Sequence, residues 1–142
     1  MRDIIIVKSE IDLHRCYPIM AQLRLSYSEE EFIVQVKKQM QAGYQLVCVQ
    51  SDGEICAVAG YRYLENLAWG KFLYVDDLIT DNVQRSKGYG KYLFEWLIKE
   101  AKSNDCRELH LDSGVQRDEA HRFYKREGLV HSSHHFQITL ES

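Results

Sequence analysis

Three strand-like segments follow one another between residues 44 and 80, and this run constrains the fold more than any other feature of the chain. The segments span residues 44–50 (YQLVCVQ), 54–64 (EICAVAGYRYL) and 72–80 (FLYVDDLIT). The first two are joined by Ser-Asp-Gly, a hairpin signal, and a loop at 65–70 leads to the third. The pattern predicts neighbouring strands of one sheet.

Helical patterns lie on both sides of this run. Residues 11–23 carry apolar side chains at helical spacing, and Pro18 should kink this helix or lie in its first turn. Ser28 and Glu31 have capping-box spacing, and Gly43 is predicted to end the helix that they begin. Further helices are predicted at 88–103 and 115–128, with strands at 4–7 and 108–113 and one or two strands within 129–140. This alternation predicts an α/β layer fold with a mixed sheet.

The length and net charge of the chain limit the number of domains and the kinds of partner that it can have. The 142 residues fit a single domain spanning 1–142. A net charge of −3 argues against nucleic acid as the main partner, because there is no basic field to neutralise phosphates. No apolar run is long enough to span a bilayer, and the run at 4–7 is too short for a signal-peptide core. We expect a cytoplasmic protein without a membrane partner.

The cysteines and histidines show no metal-binding spacing. The four cysteines are scattered without a CxxC pair, which favours reduced, mostly buried thiols. His131, His134 and His135 form a local cluster, in which His134 or His135 could help to deprotonate an amine; the alternative is a solvated loop or strand edge. None of these spacings is a recognised zinc pattern, so no metal is expected.

A glycine-bearing loop separates the third strand of the run from the next helix, in the sequence QRSKGYGKYLFEWLIKEAK at 84–102. A strand, a tight loop and a helix N-terminus together bind anions, since backbone N–H groups and the helix dipole point the same way. Gly88 and Gly90 would let a ligand approach the backbone, and Arg85 and Lys87 would add positive charge. The alternative is that the glycines only shape the turn.

Two motifs together resemble the GNAT superfamily of acetyl-CoA-dependent N-acetyltransferases. They are R-x-x-G-x-G at 85–90 and A-x-x-F-Y-x-x-x-G at 120–128, and the order and spacing of the elements agree over nearly the whole chain. The resemblance implies a central mixed, twisted sheet of six to seven strands flanked by four helices. It also implies a splay between the fourth and fifth strands.

The resemblance assigns coenzyme contacts to matching positions. The backbone of Leu78, Ile79 and Thr80 would bind the pantetheine arm of acetyl-CoA, and an N–H near Ile79 would polarise the thioester carbonyl. The pyrophosphate cradle would comprise Arg85, Ser86, Lys87, Gly88, Tyr89 and Gly90, with Lys91 at its rim. Arg117 occupies a position at which many family members carry Asn, so the amide contact expected there is in doubt.

Transfer of an acetyl group to an amine needs a base for the amine proton and an acid for the thiolate. The resemblance places Tyr124 at the coenzyme sulfur, where it could be the acid; the alternative is that Tyr124 is a core aromatic. Neighbouring side chains on a helix point about 100° apart, so we predict that Phe123 is the core residue while Tyr124 faces the sulfur. Asp76 and Asp77 are the candidate bases. Because side chains alternate along a strand, at most one should face the cleft. The alternative is a carboxylate satisfied by a neighbouring Arg or by backbone N–H groups.

The leading interpretation is an N-acetyltransferase that acts on a primary amine of a small molecule, by direct attack in a ternary complex. Segments 24–31 and 61–70 are candidate walls of the acceptor pocket, although their aromatic residues also suit ordinary loop anchors. The alternatives are a protein acetyltransferase, acting on an N-terminus or Lys, and a non-catalytic acyl-CoA-binding module. An exposed edge of the last strand could support a homodimer.

Overall fold

The computed structural model describes residues 2–113 and 117–140, which belong to two compact units, Met1–Leu111 and Asp112–Ser142. The elements of the first are β1 (Arg2–Val7), α1 (Glu10–Met20), α2 (Glu29–Gln41), β2 (Gln45–Ser51), β3 (Glu54–Asn66), β4 (Gly70–Thr80), a 3₁₀ turn (Asn82–Gln84), α3 (Tyr89–Ser103) and β5 (Glu108–Leu111). The second unit contains α4 (Asp118–Arg126).

The sheet is mixed, as predicted, and its strands follow the chain in the order β1-β2-β3-β4-β5. The first four strands are antiparallel neighbours, and β5 is parallel to β4. The hairpin signal between β2 and β3 is confirmed, because Asp52 and Gly53 both have positive φ, at 52° and 78°.

Helices cover both faces of the central strands. Leu46 and Cys48 of β2 belong to one buried cluster with residues of α1 and α2, such as Leu13 and Phe32. Buried Tyr61 of β3 contacts Trp96 of α3, with ring centroids 6.0 Å apart, so α3 packs beside the same strands. This double covering explains why β2 and β3 are almost continuously apolar.

The predicted helix signals have local structural reasons. Ser28 and Glu31 form the capping box at the start of α2, and Gly43, with φ of 107°, follows the end of that helix. Pro18 lies in the last turns of α1 rather than in its first turn. There its missing N–H removes only one bond near the helix end.

The prediction of six to seven strands is not confirmed: the described residues form five. Residues 129–140 were expected to supply one or two strands, but their described backbone forms neither helix nor strand. Phe136, Ile138 and Leu140 alternate as in a strand, yet they are 88%, 82% and 89% exposed. Alternation alone does not make a strand, because the backbone also needs a neighbour for its hydrogen bonds.

The pairing of β4 with β5 ends at Val75 and Leu111, whereas β4 continues to Thr80. The segment Asp76–Thr80 therefore has β3 on one side and no β5 partner on the other. This arrangement matches the expected splay between the fourth and fifth strands.

The four cysteines are free thiols, as predicted, and only Cys106 is not buried. Among the described residues, no group of three or more His, Cys, Asp or Glu side chains could hold a metal ion. Within the same part of the chain, no helix has the length and apolar character needed to cross a membrane.

Tyr61 should make stability depend on alkaline pH. Burial, with a smaller effect of Glu100, raises the pKa of Tyr61 to about 12. A raised folded-state pKa gives stability that is complete below the unfolded-state value of roughly 10 and is lost as pH rises through the folded-state value. We expect wild type to lose about 2–3 kcal/mol more unfolding free energy between these values than Tyr61→Phe, which keeps the ring. Denaturant titrations across pH measure this, and parallel curves would contradict it.

Candidate active site

A β-bulge interrupts β4 where its pairing with β5 stops. Gly60 of β3 lies opposite Asp77, and Tyr61 lies opposite Val75, so Asp76 is an extra residue without a partner on β3. An extra residue breaks the alternation of side chains along a strand. The acidic pair therefore lies at an irregular point of the sheet.

Asp76 and Asp77 both line one cavity, which has a volume of about 250 Å³. The expectation that at most one would face the cleft is wrong, because it assumed regular alternation through a position that the bulge occupies. The cavity wall combines apolar, aromatic, amide and charged groups: Met20, Arg24, Tyr27, Phe32, Gln35, Val36, Gln39, Tyr44, Asp76 and Asp77.

Asp76 is held by an arginine from the neighbouring strand. Arg62 donates from Nε and Nη2 to the two carboxylate oxygens, at 2.7 and 2.8 Å. This two-point geometry is the strongest form of the Arg–carboxylate pair. The hydrogen bond to Asp76 is the main reason that the pKa of Arg62 is raised, while burial acts in the opposite direction.

Asp77 has two partners from outside β4. Arg24 Nε donates to Oδ1 at 2.8 Å, and the Tyr44 hydroxyl donates to Oδ2 at 2.7 Å. Arg24 Nη2 also donates to the backbone carbonyl of Asp76, at 2.9 Å. Burial, and next the Asp77 charge, hold the pKa of Tyr44 well above its ordinary value, so this hydroxyl stays protonated and remains a donor.

Tyr44 reaches Asp77 by crossing β3 at Gly60. A Cβ atom at residue 60 would lie 1.7 Å from the Tyr44 hydroxyl oxygen. Gly60 is not among the glycines with positive φ, so its role is to leave space rather than to allow an unusual backbone. The sequence interpretation did not identify Tyr44 or Gly60. The available signal was a lone Gly inside an apolar strand, which marks close approach of another group.

Gln22 joins the end of α1 to the loop that follows β4. Its side-chain amide donates to Asp81 Oδ1 and accepts from the Asn82 N–H, both at 2.9 Å. The short segment after α1 therefore contributes Arg24 to the cavity wall and, through Gln22, binds the loop that precedes α3. No sequence pattern points to Gln22.

The predicted pyrophosphate cradle is an exposed loop at the N-terminus of α3. The side chains of Arg85, Ser86 and Lys87 are exposed, as is that of Lys91 in the first turn of the helix. Ser86 and Gly88 have positive φ, at 68° and 83°, so the loop turns sharply before the helix begins at Tyr89. No side chain caps the first turn of α3 at its N-cap residue, which leaves its backbone N–H groups available to an anion.

The two glycines of the loop face different neighbours. A Cβ atom on Gly90 would lie 2.9 Å from Thr80 Oγ1, so its missing side chain lets α3 pack closely against the end of β4. A Cβ atom on Gly88 would point toward the guanidinium of Arg2, 3.6 Å from Nη1. For Gly90, therefore, the structure supports a role in shaping the junction.

The three residues assigned to the pantetheine arm end β4. Leu78, Ile79 and Thr80 pair with β3, and only Ile79 is buried. All three lie in the part of β4 that lacks a β5 partner. Their other backbone edge is thus not used by β5.

Phe123 and Tyr124 are neighbours on α4, with ring centroids 5.5 Å apart and ring planes at 72°. Both are half-buried, so the prediction that Phe123 alone is a core residue is not matched. Burial raises the pKa of the Tyr124 hydroxyl, which keeps it protonated, and Arg117 at the start of α4 acts in the opposite direction.

The two segments predicted to form walls of the acceptor pocket have different roles in the structure. Arg24 and Tyr27, from the segment 24–31, line the cavity. Tyr61 is buried against α3, and Trp69 stacks on His110 with ring centroids 3.7 Å apart, so the segment 61–70 contributes anchors. In the second unit, His135 lies 3.6 Å from Asp112.

Comparison with known proteins gives the family. The profile described as Acetyltransferase (GNAT) family matches residues 11–129. The chain belongs to the GNAT family of acetyltransferases. An uncharacterized N-acetyltransferase of Bacillus subtilis, YhdJ, is 34% identical over 109 residues, which are 76% of this chain and 77% of the relative.

Solved structures show the same GNAT fold. Aminoglycoside N-acetyltransferase AAC(6')-Iy in complex with CoA has a TM-score of 0.88 at 13% identity, over 100% of this chain and 96% of that one. A ribosomal-protein-alanine N-acetyltransferase from Brucella melitensis biovar Abortus 2308 has a TM-score of 0.84 at 17% identity, over 99% and 100%. The two acceptors differ in kind, so the fold alone does not identify an acceptor.

The crossing of Tyr44 over Gly60 can be tested by adding one methyl group. Gly60→Ala should destabilise the protein by about 1–3 kcal/mol, because the Cβ atom would overlap the Tyr44 ring. In a Tyr44→Ala background the same substitution should cost much less. A double-mutant cycle by denaturant unfolding measures the coupling. An equal loss in both backgrounds would show that Tyr44 does not occupy the space above Gly60.

Proposed function

We propose that this GNAT protein transfers the acetyl group of acetyl-CoA to a primary amine of a small molecule, by direct attack in a ternary complex. The observation that carries the proposal is the joint position of two features. The half of β4 without a β5 partner leads into the exposed cationic loop 85–88, and the same half borders the cavity that contains Asp76 and Asp77.

The loop and the strand end fit acetyl-CoA chemically. Arg85, Lys87 and Lys91 supply positive charge beside the uncapped start of α3, which suits a pyrophosphate. We assign the cradle to Arg85, Ser86, Lys87, Gly88, Tyr89, Gly90 and Lys91. Leu78, Ile79 and Thr80 offer the amide groups of the pantetheine arm a strand edge that β5 does not use. The coenzyme supplies the activated thioester.

The cavity suits a small acceptor with apolar and cationic parts. Phe32, Met20 and Val36 provide apolar surface, while the carboxylates of Asp76 and Asp77 provide negative charge. Arg24 and Arg62 offset much of that charge. A volume of about 250 Å³ favours a small molecule over a polypeptide segment, although a protein N-terminus or Lys remains the alternative.

The reaction joins the amine nitrogen to the acetyl carbon and breaks the carbon–sulfur bond, so the amine loses a proton and the thiolate gains one. We assign the first proton transfer to one of the two aspartates, directly or through water. The second we assign to Tyr124. The support is the resemblance of residues 120–128 to the family motif, together with the burial that raises the pKa of this hydroxyl and keeps it protonated. A location in the cytoplasm and a homodimer remain predictions.

Arg85→Ala tests the cradle. The variant should bind CoA more weakly by about 1.5–3 kcal/mol, because it lacks a charge-assisted donor to phosphate. Calorimetric titration of wild type and variant measures this difference. Lys38→Ala, an exposed cation on α2, is the matched control for the loss of one positive charge. Equal affinity in wild type and Arg85→Ala would remove Arg85 from the cradle.

Asp76→Asn and Asp77→Asn test the base and serve as controls for each other. One of them should lower turnover and flatten the acidic limb of the pH–rate profile, because an amide cannot accept the amine proton. Affinity for CoA should be unchanged in both. If both Asn variants keep the wild-type pH–rate profile, neither aspartate is the base. His134 and His135 would then be tested next.

Tyr124→Phe tests the acid. Because it removes only the hydroxyl, turnover should fall by roughly 10²–10⁴, while melting temperature and CoA affinity hardly change. The assay is acetyl transfer to an amine identified from a library, beside acetyl-CoA hydrolysis without amine. An early melt or a parental turnover would make Tyr124 a structural aromatic. Binding of CoA without transfer to any amine or peptide would identify a non-catalytic binding module.

A further inference from the structure

Arg2, the first described residue of β1, lies against the loop that we assign to pyrophosphate binding. Its Nη2 atom donates to the Lys87 carbonyl at 2.5 Å, and its Nη1 atom lies 3.3 Å from the Gly88 carbonyl. All three residues belong to one unit of the structure, but Arg2 is far in sequence from Lys87 and Gly88. A single guanidinium therefore binds two successive peptide groups of the loop.

The Arg2 side chain is held in place by aromatic rings of α3. The guanidinium carbon lies 4.6 Å from the Tyr89 ring centroid and 5.5 Å from that of Tyr92, within the range of cation–π attraction. The Tyr92 hydroxyl donates to the Arg2 carbonyl at 3.4 Å. A Cβ atom on Gly88 would meet this guanidinium only at ordinary van der Waals distance, 3.6 Å from Nη1, so what requires glycine here is the positive φ of 83° rather than space.

These bonds determine which way the loop amides point. In a trans peptide the C=O and the following N–H point in opposite directions. Because the Lys87 and Gly88 carbonyls face Arg2, the N–H groups of Gly88 and Tyr89 face away from it. The Gly88 carbonyl also accepts the Tyr92 N–H, at 3.0 Å, so the loop is continuous with the first turn of α3.

We propose that Arg2 is a positioning residue for the coenzyme: it holds the loop 87–89 with its amide N–H groups directed at the pyrophosphate of acetyl-CoA. This rests on the proposed function. Arg2 would act on phosphate binding through the loop, and would not act on the thioester or the amine. It is a donor to loop carbonyls, which distinguishes it from Arg85, the proposed direct phosphate ligand.

The test compares two acyl donors in Arg2→Ala, Arg2→Lys and the control Lys38→Ala. Acetyl-CoA carries the pyrophosphate, whereas acetyl-pantetheine lacks it. Arg2→Ala should weaken CoA binding about 10-fold, since a charge-assisted contact that orders the loop is lost. It should leave kcat/KM for acetyl-pantetheine and the melting temperature close to wild type. Lys38→Ala should match wild type with both donors.

Arg2→Lys separates orientation from charge. An ammonium keeps the charge but lacks the planar fork that binds two carbonyls, so it should recover less than half of the lost affinity on a logarithmic scale. Full recovery by Lys, equal CoA affinity in Arg2→Ala, or an equal loss with both donors would each overturn the positioning role. A wild-type protein that does not bind CoA would overturn the proposed function itself.

Discussion

The candidate active site depends on one extra residue in β4. Asp76 has no backbone-pairing partner on β3, and the resulting bulge brings two adjacent acidic residues to one cavity instead of to opposite faces of the sheet. Bulges often re-aim side chains next to active sites. Here the bulge directly follows the last β4–β5 pair, at Val75, so the strand changes its side-chain pattern where it also loses a neighbour. Both changes act on the same stretch of β4.

Two buried or half-buried carboxylates at a sheet irregularity would be costly without partners. Arg62 on β3, Arg24 after α1 and Tyr44 before β2 supply those partners from three different elements. The acidic pair thus fastens the end of α1 and the start of β2 to β4. If either aspartate acts as the base, these contacts hold its carboxylate in place before the substrate binds.

The sequence predicted elements where local signals were strong, such as the capping box at Ser28 and the hairpin at Asp52 and Gly53. It also predicted the cationic loop before α3. It could not predict the bulge, because one extra residue in β4 is defined only by its pairing with β3. Tyr44 was missed for the same reason, since its contact with Asp77 depends on strand register. In 129–140 the alternation was present, but no neighbouring strand pairs with that segment in the described structure.

Residues distant in sequence hold the loop 81–90 at both of its ends. Gln22, which precedes the cavity residue Arg24, binds Asp81 and Asn82 at the start of the loop. Arg2 binds Lys87 and Gly88 at its end. Between these anchors, Arg85 and Ser86 are exposed. A loop fixed at both ends loses little further entropy when it binds an anion, so its amides can be arranged before the ligand arrives.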